Sequence, residues 1–140
     1  MTTAEDRPVK QVIVIRRDLN MRRGKEIAQG AHASSKWLAN RIRWAGGGLA
    51  NGGGLTGHVA FTLPEALWLQ NSFTKVTCQV PGERELLAVL DAAEQAGVMA
   101  CAIEDAGRTE FGGRITLTAV AVGPDWADLI DKVTGQLTLY

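Results

Sequence analysis

The stretch Lys10–Arg16, KQVIVIR, constrains the fold of this chain more than any other, because its unbroken β-branched apolar centre reads as a strand buried on both faces. A strand of that kind needs covering layers on both sides, and the helical patterns downstream of it supply them. From Lys25 to about Ile42 the residues Ile27, Ala31, Ser34, Leu38 and Ile42 recur at helical spacing, so a long amphipathic helix is expected, with that face toward the core. Pro64 stands where a helix can begin, and Glu65 to Gln70 give a short helical segment carrying Trp68. Lys75–Val80 reads as a strand and Pro81-Gly82 as a turn. Glu83–Ala96 places Leu86, Leu87, Leu90 and Ala93 on one helical face and stops at Gly97. Val98–Ile103 and Ile115–Val122 are two further strands, and Asp125 is expected to cap a last helix that closes at Gly135. Strands joined by helices predict an α/β layer structure with right-handed crossovers. The 103-to-115 connection has no helix pattern, so the last two strands are expected as an antiparallel pair in a mixed sheet.

A length of 140 residues with 46% hydrophobic side chains suits one domain with one core. We read residues 1–8 as a flexible N-terminus and 9–140 as the domain. Seven glycines between Ala45 and Gly57 exceed what a regular element tolerates, so 45–57 reads as a glycine-rich surface loop. No apolar run approaches the roughly 20 residues that span a bilayer, and no signal-type segment follows the polar start, so a soluble, cytoplasmic protein is expected. Cys78 and Cys101 lie in apolar, strand-like runs without metal or redox spacing, and read as reduced core thiols.

The formal net charge is zero, yet ten of the fifteen Lys/Arg lie at or before Arg43, against four acidic residues. Such a split is either ordinary solvated surface or a basic face for phosphate. Within it, Lys25, Gln29, His32 and Lys36 are spaced to share one helical stripe, separate from the expected core face. That helix starts at Gly24, just beyond the carboxyl end of the first strand, where ligand sites of open α/β sheets gather. Directly after the strand VMACAI stands Glu104-Asp105-Ala106-Gly107-Arg108-Thr109. If this strand runs parallel to the first, Asp105 emerges at the same sheet edge as Lys25; an Asx turn served by Gly107 is the compatible structural reading. Other chemistries are excluded by missing parts. Arg23-Gly24-Lys25-Glu26 lacks the upstream glycine and the Ser/Thr of a phosphate loop, His32 and His58 have no metal-ligand spacing, and no Gly-x-Ser-x-Gly elbow occurs.

These residues carry a family resemblance. Arg16-x-Asp18-Leu19-x-Met21-x-x-Gly24-Lys25-x-x-Ala28-Gln29-x-x-His32-Ala33 resembles the first signature of the archaeal and eukaryotic type of peptidyl-tRNA hydrolase. Asp105-Ala106-Gly107-Arg108-Thr109 resembles the second, and Gly123-Pro124 with Ala127–Gly135 and Leu139-Tyr140 the third. Ile27 stands where the family usually has Ala, Glu110 where it has Gln, and Phe111–Ile115 lacks the usual Pro-Gly turn; residues 45 to about 72 match no part of the pattern.

The resemblance implies a compact domain with a four-stranded mixed sheet between helical layers, often a homodimer, that hydrolyses peptidyl-tRNA without metal or cofactor. It implies Lys25, Asp105 and Thr109 as the catalytic set, supported by Gln29, His32 and Thr118. Arg16, Arg17, Arg22, Arg23, Lys36, Arg41, Arg43 and Arg108 are then expected to hold the tRNA backbone. Trp37, Trp44 and Trp68 are expected in the core or at a subunit contact, ahead of the alternative of a stacking platform for the CCA end. Two rival readings keep the fold and change the function: a non-catalytic tRNA-binding or protein-interaction domain, and a hydrolase of another ester or amide.

Overall fold

The structure, a computed structural model, describes residues 6–45, 58–108 and 110–140, with the side chains of all of these except 43–45. Its centre is β1 (Val9–Arg16), the KQVIVIR strand, flanked by β2 (Lys75–Val80) in parallel and β4 (Thr116–Trp126) antiparallel. Val12 and Val14 pair with Val76 and Cys78 on one side and with Val122 and Val120 on the other. β3 (Ala100–Asp105) adds antiparallel to β4, as expected of the last two long strands. A fifth strand, β5 (Thr138–Leu139), pairs antiparallel with β2, so the sheet has five strands in the order β3-β4-β1-β2-β5, not four. Two residues are too few to carry an alternation pattern, which is why the sequence gives no sign of it.

Side chains alternate across the strands and build two cores. Val12, Val14, Cys78, Val120 and Val122 face α3 (Glu83–Ala96) and α4 (Ala127–Thr134) through Leu86, Val89, Ile130 and Val133. Ile13, Ile15, Ile103, Ala119 and Ala121 lie on the opposite face with Ala33 of α1 (Arg23–Ala45). Here α1 departs from expectation. Its buried positions are Gln29, Ala33 and Trp37, whereas Ile27 is 67% exposed and Ala31 exposed. The face turned to the sheet is the one on which Ala33 packs with the small side chains of Ala119 and Ala121 and the Gln29 amide oxygen accepts from the Thr118 hydroxyl.

The short helix α2 (Leu63–Leu67) opens with a capping box, in which Thr62 and Glu65 satisfy each other's backbone amides, and continues as a wide turn through Trp68–Ser72. Trp37 and Trp68 are core residues, ring centroids 6.2 Å apart. Trp44 has its side chain outside the described residues. The last helix is not capped by Asp125: β4 runs on through Trp126, and the Asp125 carboxylate accepts instead from the Trp126 amide. Cys78 and Cys101 are free thiols whose burial raises their pKa above the usual range. The N-terminal reading falls mostly on 1–5, outside the described residues; Arg7 pairs with Asp128, and the Pro8 carbonyl accepts from Ala127. The glycine-rich stretch 46–57 also lies outside them.

Candidate active site

Because β4 is antiparallel to both β1 and β3, those two strands run the same way and end at the same edge of the sheet. The chain leaves β1 at Arg16, turns, and enters α1 at Arg23, two residues before Lys25; β3 ends on Asp105 itself. The Lys25 Nζ donates to Asp105 Oδ1 at 2.7 Å, with 14% and 15% of the two side chains exposed. The other carboxylate oxygen, Oδ2, accepts from the Gly107 amide at 2.8 Å, which is the Asx turn read from the sequence. Gly107 has φ +78, and a Cβ there would run into the backbone of Arg114, so the turn requires glycine.

The hydrogen bond from Lys25 holds the Asp105 carboxyl below the usual carboxylate range, helped by the Gly107 amide and the nearby His32 and opposed by burial. Asp105 is therefore a firmly ionised acceptor. One turn along α1, Gln29 is only 3% exposed, and its Oε1 accepts from the Thr118 hydroxyl at 2.5 Å. Thr118 Oγ1 also lies 3.3 Å from the Ile103 carbonyl, but a hydroxyl has a single hydrogen and the shorter contact claims it. The Gln29 amide is thus fixed with its oxygen toward Thr118 and its NH2 group turned away. His32, exposed, continues the stripe beside a polar cleft of about 370 Å3 that it lines with Ser35, Lys36 and Glu104.

Lys25, Gln29, His32, Asp105 and Thr118 are therefore brought together, and Thr109 lies outside the described residues. The arginines divide. Arg16 is held by Asp18 and donates to the Leu117 carbonyl, Arg17 lies 3.9 Å from Glu26, and Arg22 pairs with Glu110 at 2.8 Å. Arg41 is a strut: it grips Glu65, whose side chain is 5% exposed, and its place sixteen residues along α1 sets it about 24 Å from Lys25 along the helix. Lys36 donates to the Ala102 carbonyl at the outer edge of β3. Arg23 and Arg108 are exposed, and Arg43 has its side chain outside the described residues. Two site neighbours escaped the sequence reading. Phe111, at φ 68, places its ring 5.7 Å from Lys25 Nζ, and Glu110 ties the loop after β3 to the start of α1. The departures at Glu110 and Phe111 mark the spot, but no periodic or charge pattern points from them to Lys25. A largely apolar groove of about 630 Å3 lies on the other flank of α1, lined among others by Ile13, Ile15, Ile27 and Ala31.

Among the described residues no helix is long and apolar enough to cross a membrane, and no group of acidic, His or Cys side chains is arranged to hold a metal. An ionised carboxylate clamped by an ammonium lies at the carboxyl edge of the α/β sheet, with a fixed amide one turn further along α1 and exposed guanidinium groups nearby in the chain, a polar cluster on an α/β fold. The chain belongs to the family described as peptidyl-tRNA hydrolase PTH2, whose model matches residues 9–140. It is similar to a peptidyl-tRNA hydrolase of Methanocaldococcus jannaschii, 36% identical, with 94% of this chain and 99% of the relative covered. The human mitochondrial peptidyl-tRNA hydrolase 2 is 35% identical, over 94% of this chain and 64% of the relative. A solved structure of a protein of unknown function from Agrobacterium tumefaciens strain C58 shares the fold, with a TM-score of 0.54 at 11% identity, covering 94% and 97% of the two chains.

Proposed function

We propose that this chain hydrolyses peptidyl-tRNA, with water attacking the ester between the peptide carboxyl and the terminal ribose. The Lys25–Asp105 pair at 2.7 Å carries the reading, since it sets an acceptor for water beside a cation for developing negative charge. Asp105, held ionised, orients the water and takes its proton as the oxygen bonds to the ester carbon. The carbonyl oxygen gains charge, and Lys25 together with the NH2 group of Gln29, fixed by Thr118, donates to it. The ribose C–O bond then breaks, and the ribose oxygen takes the proton that Asp105 accepted. The products are a tRNA with a free hydroxyl and a peptide carboxylic acid, which loses its remaining water proton to solvent and leaves as the carboxylate. Thr109 is assigned by its signature to hold the water or the terminal nucleotide, and His32 to a phosphate or a proton relay. Arg23 and Lys36 on α1, Arg22 just before it and Arg108 in the loop after β3 are proposed to contact the tRNA backbone.

Three substrates separate this reading from its rivals: N-acetylaminoacyl-tRNA, unblocked aminoacyl-tRNA, and a simple ester of the same N-acetylamino acid. Preferred cleavage of the first is expected. Binding without peptide release would leave a non-catalytic tRNA-binding domain, and equal cleavage of the simple ester a general esterase. The same reading carries a cytoplasmic homodimer, and Ile27, 67% exposed at the apolar groove, is where a second copy would dock. Sedimentation of the wild-type chain and of Ile27→Glu tests it, a single monomeric boundary for both counting against it.

A further inference from the structure

A second cleft, on the Phe111 side of the pair, takes no part in the steps above. Leu19, Phe111 and Ile115 give it apolar walls, Arg16, Glu83 and Arg114 its polar lining, and it measures about 300 Å3, the lower end of small-ligand sites. It joins the reacting pair through two residues. The Phe111 ring lies 5.7 Å from Lys25 Nζ, and Thr116, also in the lining, is the β4 partner of Asp105.

Folding alone gives weak reasons for its walls. Ile115 is 74% exposed although a buried strand starts at the next residue. Phe111 is held at φ 68, a conformation that costs an aromatic residue strain and persists only where its surroundings impose it. The loop that imposes it is pinned by the Gly113 amide on the Gly107 carbonyl and the Arg114 amide on the Phe111 carbonyl. Among the described residues no carboxylate pairs with Arg114, while Arg16 is already oriented by Asp18 and lies 3.8 Å from Glu83.

We propose that this cleft receives the base of the terminal adenosine of the tRNA, stacked on Phe111, with Arg114 at the 5′ phosphate of that nucleotide. The proposal rests on the peptidyl-tRNA reading. The ester under attack sits on the terminal ribose, so the base on that ribose must lie within one nucleotide of Lys25 and Asp105. Of the two clefts bordering the pair, the His32 cleft is lined mainly by polar groups, an imidazole, a hydroxyl, an ammonium and a carboxylate, and its one ring is the small, exposed imidazole, which suits sugar and phosphate. The Phe111 cleft offers a ring and aliphatic walls to a π face, and Glu83 an acceptor to the exocyclic amine of adenine. The 630 Å3 apolar groove lies across α1, on the flank of the helix away from Phe111 and His32, and neither of those two residues lines it.

The test uses the full chain and two esters of one N-acetylamino acid: on the terminal adenosine of a CCA trinucleotide, and on the same trinucleotide with an abasic terminal ribose. Wild type is expected to favour the adenosine ester by about tenfold or more in kcat/KM, as one stacked base warrants. Phe111→Ala should abolish that preference and Phe111→Trp restore it. Arg114→Gln, which leaves the ring in place, should keep the preference and flatten the salt dependence of KM on both esters. A wild type that cleaves both esters equally well, or a Phe111→Ala that slows both by the same factor, overturns the subsite, because Phe111 then acts only on Lys25. Cleavage of neither ester by wild type, nor of whole peptidyl-tRNA, removes the hydrolase reading and the subsite with it.

Discussion

Lys25 and Asp105 stand eighty residues apart in the chain and 2.7 Å apart in space, each with about a seventh of its side chain exposed. Such a pair works as a unit, the carboxylate serving water and the ammonium serving the charge that appears on the ester. Asp105→Asn and Lys25→Ala are each expected to lower single-turnover hydrolysis of peptidyl-tRNA by about 10² or more. The double variant should fall little further, since residues acting together are not additive. Rapid-quench assays on variants whose circular dichroism matches wild type decide the matter; near-normal rates in both single variants would reject the site.

The juxtaposition was legible in the sequence because two buried strands lead to it: KQVIVIR is followed by the helix that opens with Lys25, and VMACAI by Asp105. Parallel direction was the missing condition, and the antiparallel β4 between them supplies it. What could not be read are contacts made by residues that break their local pattern. Gln29 sits in a stripe of polar residues and looks solvent-facing, but a hydroxyl on β4 draws its amide into the interior. Ile27 looks like core and faces a groove, because the face turned to the sheet is the one on which Ala33 packs with the small alanines of β4, which periodicity in α1 alone does not encode. Five of the expected phosphate-binding cations also contact carboxylates or backbone carbonyls of the protein itself, which sequence does not show, since it counts charges and cannot pair them.

The electrostatics of Asp105 predict a pH signature. Its folded carboxyl lies below the ordinary value near 4, so the ionised, working form persists as pH falls through the range where a free carboxylate protonates. Lys25→Gln removes the largest cause of that depression. The acid limb of kcat/KM should therefore move to higher pH in the variant, apart from its lower plateau. Profiles from about pH 3.5 to 7 test this, and an acid limb at the same pH in both proteins would assign it to another group.

Charge neutralisation should sort the arginines by their partners. Arg23 and Arg108 are exposed and stand two and three residues in sequence from Lys25 and Asp105, so Arg23→Gln with Arg108→Gln should weaken tRNA binding and lower the slope of log K against log salt by about 0.7–0.9 for each phosphate no longer neutralised. Arg41→Gln, at the far end of α1, should leave the slope unchanged while lowering stability. Filter binding across a salt series distinguishes them. Equal slopes for wild type and the double variant would remove both residues from the interface.

Arg41 and Glu65 give the last expectation, on stability. Burial alone would push the Glu65 carboxyl up, but the hydrogen bond from Arg41 and the amide and hydroxyl of Thr62 hold it below its usual value. A folded pKa lower than the unfolded one means that the pair stabilises the protein fully above the ordinary carboxylate range, and that this contribution is lost as pH falls through the folded value. Glu65→Ala removes the α2 capping box as well and leaves Arg41 without its carboxylate. Removing one partner of a fully buried pair costs about 3–5 kcal/mol; Arg41 keeps 29% of its side chain in solvent, so a loss of about 2 kcal/mol is expected. Urea unfolding at neutral pH should show a lower midpoint for Glu65→Ala with little change in slope. The difference from wild type should shrink as pH drops below about 4. A midpoint difference that stays constant down to that pH would mean that packing around Glu65, and not its charge, is what α2 depends on.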